Sequence, residues 1–131
     1  TPTMVRKVPE SDGQDRDFVL ASWVLTTANP IGVAINLPDY TNKVWTIGNA
    51  AGDAFGGATC TLKGVQDTGT STALALNKAS TGLTATAVAA DVITTLENAL
   101  FVFPELTVVG VGATVTVRLL ARRLKFLRDY K

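Results

Sequence analysis

Residues 112–123 alternate between apolar and polar positions. Val115, Val117, Leu119 and Ala121 fall on one face of an extended chain, and Thr114, Thr116, Arg118, Leu120 and Arg122 on the other. A period of two is the signature of a half-buried β-strand. On a helix, Val115 and Val117 would lie far apart around the axis. Residues 57–64 repeat the design, with Ala58, Cys60 and Leu62 alternating with Thr59, Thr61 and Lys63. Each such strand leaves one apolar face to cover, so a second layer must pack on it.

The other segments predict further short strands between turns. Residues 18–27 carry two largely apolar sets, Phe18, Leu20, Ser22 and Val24 against Val19, Ala21, Trp23 and Leu25. That pattern predicts burial on both sides or a place in an interface. Residues 32–37 predict a strand with Val33, Ile35 and Leu37 inward, and residues 43–48 one with Trp45 and Ile47 on one face. The turn clusters at residues 28–32 and 38–42 separate them. Residues 49–57 form a glycine-rich loop that Phe55 is expected to plug into the core. Residues 66–71 read as a polar connector, 72–76 as a strand and 77–82 as a turn. Residues 83–100 stay ambiguous between helix and strand. Val88, Val92, Leu96 and Leu100 are spaced four apart, as on a helix face, whereas residues 91–95 are β-branched. Pro104 predicts an edge strand or a bend within residues 100–109. Many short strands at turn-marked spacing predict an all-β fold: a single β-sandwich, jelly-roll-like, at residues 18–131. Its core is expected to hold Val115, Val117, Leu119, Leu62, Cys60, Trp45 and Ile47.

Residues 1–17 differ. They are rich in charge, with Pro2, Pro9 and Gly13, and have few apolar side chains. They read as an extended N-terminal arm, either loose or ordered on a neighbouring chain, with Met4, Val5 and Val8 as its anchors.

Composition narrows the function more than it identifies it. A chain of 131 residues is the size of one domain, and 47% hydrophobic content is enough for a core. No apolar run reaches the ~20 residues that span a bilayer, and no leader pattern opens the sequence, so neither membrane nor secretory signal is expected. The single cysteine, Cys60, excludes an intrachain disulfide and reads as a small buried hydrophobe. Twelve basic residues nearly balance eleven acidic ones, but unevenly. Residues 118–131 hold six basic and one acidic, a net of +5 against −4 for the rest. That asymmetry points to an oriented contact with a partner or another copy, or to a solvated strand end.

The chain lacks histidine, which removes the commonest general base and metal ligand and every Ser-His or Cys-His pair. Neither phosphate-binding glycine spacing is present. Asp53, Asp67, Asp91, Glu97 and Glu105 lie in expected loops with nothing to pair them as a glycosidase would need. Asp53 and Asp67 fall short of the six to eight oxygens that calcium takes. Catalytic residues, cofactor and metal are therefore all expected to be none. Trp23, Tyr40, Trp45 and Phe55 are candidates either for a sugar-binding platform or for core and interface packing. The basic end has only Phe126 and Tyr130 to stack on bases, so nucleic acid is not an expected partner.

Residues 55–67 carry a glycine-alanine-threonine strand, preceded by V-W-T-I-G at residues 44–48. The proline-containing E-N-A-L-F-V-F-P follows at residues 97–104, and T-V-T-V-R-L-L-A-R-R closes the pattern at 114–123. In this order the segments resemble small β-sandwich decoration (cement) proteins of tailed bacteriophages. The resemblance covers residues 43–123. It departs from the family pattern at residues 64–69, which lack its serine-asparagine turn, and at residues 71–74, which lack its tryptophan. It implies a strand at residues 91–95. It also implies a non-enzymatic protein that binds the major capsid protein on the capsid exterior, self-associates, most often as a trimer, and is made in the host cytoplasm. The partner-binding candidates are Met4, Val5 and Val8 in the arm and Arg118, Arg122, Arg123 and Lys125 at the basic end. The other expected function is a β-sandwich binding module, carbohydrate-binding or host-adhesive, on a phage tail or fibre.

Overall fold

A computed structural model describes the backbone of residues 3–8 and residues 18–48, 53–66 and 73–123 in full. Among the described residues ten strands follow one another: β1 (Thr3–Val8), β2 (Phe18–Thr26), β3 (Ile35–Asn36), β4 (Asn42–Ile47), β5 (Thr59–Val65), β6 (Leu74–Ala75), β7 (Thr86–Ala87), β8 (Asp91–Thr95), β9 (Phe101–Val108) and β10 (Thr114–Arg122). All their pairings are antiparallel. One sheet has the order β1-β2-β10-β4-β8. The other runs β3-β9-β5-β6, with β7 also on β5.

The order follows from nested pairing. β5 pairs with β6, β4 with β8, β3 with β9 and β2 with β10. The chain is thus one long hairpin with its tip at β5–β6, rolled up so that β10 also meets β4 and β9 also meets β5. This is the double Greek key of a jelly-roll sandwich, and the fold is all-β as the alternation predicts.

The same alternation explains the core. β10 is buried at Val115, Val117, Leu119 and Ala121, and β2 at Val19, Ala21, Trp23 and Leu25. Trp45 and Ile47 of β4 and Cys60 and Leu62 of β5 complete the expected set. Trp23 and Trp45 stack with ring centroids 5.8 Å apart, and their indole N–H groups donate to the Val33 carbonyl and the Thr95 hydroxyl. Phe55 packs against this core from its loop.

Three expectations need correction, and the open choice at residues 83–100 resolves to strand. β2 is buried on one face only; Leu20 and Val24 face out. Val33 is exposed, because residues 31–34 form no laddered strand and its carbonyl, not its side chain, is directed at Trp23. The four-residue spacing of Val88, Val92 and Leu96 marks no helix. All three are exposed, and the β-branched run pairs with β4 so that Ile93 lies opposite Trp45. Finally, β9 is not an edge strand, since it lies between β3 and β5. Pro104 is tolerated there because its carbonyl accepts the Gly32 N–H at 2.9 Å. In an extended residue N and O point to the same side, so the missing N–H faces the irregular residues 30–34 and removes no bond to β5.

The arm's Thr3–Val8 pairs with β2 of its own chain, placing Met4, Val5 and Val8 opposite Ser22, Ala21 and Phe18. The remainder of the arm lies outside the described residues. So do residues 67–72, where most of the expected polar connector falls.

The two faces of the first sheet make a direct test. Val117→Asp buries an unpaired charge and should cost about 3–5 kcal/mol or prevent folding. Val24→Asp, on the outer face of the same sheet, should cost no more than about 1–2 kcal/mol, from lost β propensity and repulsion by the Asp53 carboxylate held on the neighbouring Thr116. Urea unfolding of the two variants beside the parent chain reads both; equal losses would contradict the assignment of faces.

Candidate functional site

The outer face of the first sheet gathers the sequence candidates. Register sets Leu20, Leu120 and Val44 side by side across β2, β10 and β4. Leu20 is exposed, and Leu120 and Val44 are half-buried. Arg118 and Arg122 lie two residues to either side of Leu120 on β10, both exposed on the same face. Among the described residues no carboxylate pairs with either arginine; the ion pair there joins Lys63 to Glu105 at 2.9 Å on the other sheet. The result is a short apolar row between two cations, on a sheet surface rather than in a cleft.

Arg123 departs from that face. Its guanidinium lies 5.0 Å from the centroid of the buried Tyr40 ring, so it packs at the end of the sandwich by a cation–π contact. Lys125 lies outside the described residues. Met4, Val5 and Val8 are placed by backbone only, on the edge strand of the same sheet; across β2, Met4 is in register with Arg118 and Val8 with Arg122, whereas Val5 is in register with Leu119. The structure therefore brings Arg118 and Arg122 together with an apolar row and separates Arg123 from them.

The aromatic candidates for a sugar platform are not on the surface. Trp23, Trp45 and Tyr40 are buried, and Phe55 is packed on the core. Each described carboxylate candidate has a local task. Asp53 accepts from the Thr116 N–H at 2.9 Å and hydroxyl at 3.1 Å, and Asp91 accepts from the Val92 N–H. Glu97 accepts from the Asn77 N–H, and Glu105 pairs with Lys63. Asp67 lies outside the described residues, among which no three metal-ligating side chains cluster. Burial pushes the Cys60 thiol up to about 12, which keeps it protonated and unreactive.

One functional-looking residue escapes a reading by charge. Lys43 is 0% exposed. Its ammonium donates to the carbonyls of Tyr40 (3.4 Å), Thr41 (3.2 Å) and Glu97. It thereby ties the β3–β4 loop to the β8–β9 loop. The signal was present in the alternation, because Lys43 is in phase with Trp45 and Ile47 and so points inward. Burial lowers its pKa to about 8, with the Glu97 charge pulling the other way. Comparison with protein-family models, curated proteins and solved structures finds no match for this chain.

Lys43 should leave a trace in stability against pH. The unfolded chain holds the Lys43 proton up to the ordinary value of 10.5, the folded chain only to about 8. Between these values the unfolded state binds more protons, so stability rises with pH. The penalty is fully present below pH 8 and is on the order of 3 kcal/mol. Cys60 works in the opposite direction above pH 9, where the unfolded thiol ionises first. The difference between the parent chain and Lys43→Met cancels the Cys60 contribution. Urea unfolding from pH 7 to 10.5 should show that difference moving in favour of the parent as pH rises; a flat difference would mean that Lys43 is charged at no cost.

Proposed function

We propose that this protein is a non-enzymatic structural component of a tailed-phage virion that decorates the capsid exterior and stabilises the shell. The observation that carries the reading is the outer face of the first sheet, where an apolar row, exposed at Leu20 and half-buried at Leu120 and Val44, lies between two cations that have no carboxylate partner among the described residues. A broad sheet surface of this kind suits contact with another protein surface more than it suits enclosure of a small ligand. The resemblance of residues 43–123 to phage decoration proteins supplies the partner, the major capsid protein. A jelly roll serves capsid and lectin domains alike, so the fold by itself does not choose. The carbohydrate-binding reading loses its support with the burial of Trp23, Trp45 and Tyr40.

The stabilisation works by mass action. A protein that binds the assembled shell and not its separated subunits shifts the equilibrium toward the shell. Copies joined as a trimer engage several sites at once, so modest individual affinities suffice. Arg118 and Arg122 provide the charged part of the contact, complementary to an acidic patch on the shell, and that part weakens with salt because it is exposed.

Stripping the protein from particles should lower their rupture temperature, and adding it back should restore it. Equal rupture temperatures before and after stripping would remove the stabilising role. Arg118→Glu with Arg122→Glu should weaken rebinding and flatten its salt dependence, while leaving the isolated domain's melting temperature unchanged. Unaltered rebinding by this variant would take the sheet face out of the contact.

A further inference from the structure

β8 lies at the end of the first sheet, paired on one side to β4. The Gly48 N–H donates to the Thr116 carbonyl at 2.7 Å, so the alternate residues Val44 and Thr46 also direct their backbone groups to β10. Lys43, Trp45 and Ile47 direct theirs to β8, where Thr95, Ile93 and Asp91 lie opposite. Val92 and Thr94 therefore turn their N–H and C=O groups away from the sheet. Two of these four groups are satisfied locally. The Val92 N–H donates to the Asp91 carboxylate at 2.8 Å, and the Thr94 carbonyl accepts the Ala79 N–H at 2.8 Å. The Val92 carbonyl and the Thr94 N–H have no partner among the described residues.

Beside this edge is a cleft of about 290 Å³, lined by Lys78, Ser80 and Thr81 together with residues 91–94. The opening along the strand is short. Ala79 occupies the edge beyond it at the Thr94 carbonyl, and the Asp91 carboxylate covers the Val92 N–H at its other side. Capping of this kind protects an edge against open-ended pairing. Here it stops one acceptor and one donor short of closure.

We infer that the β8 edge receives an extended peptide segment of a partner protein, which adds a short strand beside Val92 and Thr94 through its backbone. One acceptor and one donor, two residues apart on the same side of a strand, match a peptide backbone in either direction. A parallel strand supplies both bonds from one residue, and an antiparallel strand from the two residues that flank the one opposite Ile93. In strand addition the main chain gives affinity and alternate side chains give choice. The residue opposite Ile93 would share that residue's face, and its two neighbours would lie on the outer face. There they continue the rows Val92–Thr46–Arg118 and Thr94–Val44–Leu120. A small residue between two apolar ones fits this alternation. The segment must end or turn away past Thr94, because Ala79 already lies there. The backbone pairing needs neither Arg118 nor Arg122, so it stands or falls apart from the capsid reading.

The test uses the purified, isotope-labelled full chain and the probe acetyl-Lys-Val-Ser-Val-Lys-amide. Titration should shift the amide resonances of β8, with Thr94 prominent among them. With the probe at about ten times the fitted dissociation constant, exchange of the Thr94 N–H with solvent should slow about tenfold. The same probe N-methylated at its three central residues should not bind. Thr94→Pro removes the donor on the side away from β4, where proline is tolerated, and should weaken binding about tenfold or more. If that variant fails to fold, the N-methylated probe still decides. No shift in β8 at about 10 mM probe, a range that detects even millimolar affinity, overturns the proposal. So do equal binding of the N-methylated probe, full binding by a folded Thr94→Pro chain, and shifts confined to β1. Protection of the Thr94 N–H that grows with protein concentration in the absence of probe would give the edge to a second copy, which also overturns it.

Discussion

Val115, Val117, Leu119 and Ala121 must leave water together, and the rest of the architecture answers to that requirement. They lie on β10, which is paired on both sides, to β2 and to β4. A slip of one residue on either side would turn an apolar row to solvent and bring Arg118 or Arg122 into the core. The pairing that avoids this sets Val117 beside Trp23 and Leu119 beside Trp45, and so places the two indoles that stack through the middle of the sandwich. The second sheet closes over them with Cys60 and Leu62.

Much of this was legible in the residues, for a physical reason. Period two reports which side of a strand is dry, and it did so for β4, β5 and β10. It also pointed Lys43 inward, although charge made that position easy to pass over. Where the reading failed, local pattern was outvoted by distant partners. The spacing of Val88, Val92 and Leu96 is as good for a helix as for a strand, and only the edge offered by β4 decides between them. Pro104 looks like an edge residue until Gly32, seventy-two positions earlier, supplies the hydrogen bond beside it. Nested pairing is a relation between whole segments, and no local window contains it.

The candidate contacts were legible in part. Charge counting picked out the end of the chain from Arg118 onward, but it could not separate Arg118 and Arg122, which face out, from Arg123, which stacks on Tyr40.

The nested hairpin also bears on how the protein is made. Leu20 and Leu120 are direct neighbours in the first sheet. During translation the chain emerges from β2 onward, so β2 and β4 wait, with their apolar faces exposed, until the intervening strands and then β10 have left the ribosome. Contacts at such long sequence separation are slow to form, because the loop must close before it is rewarded. The nascent chain is therefore a natural client for chaperones that shield apolar strands, and the second sheet, whose β5–β6 contact is the most local, is the one able to assemble first.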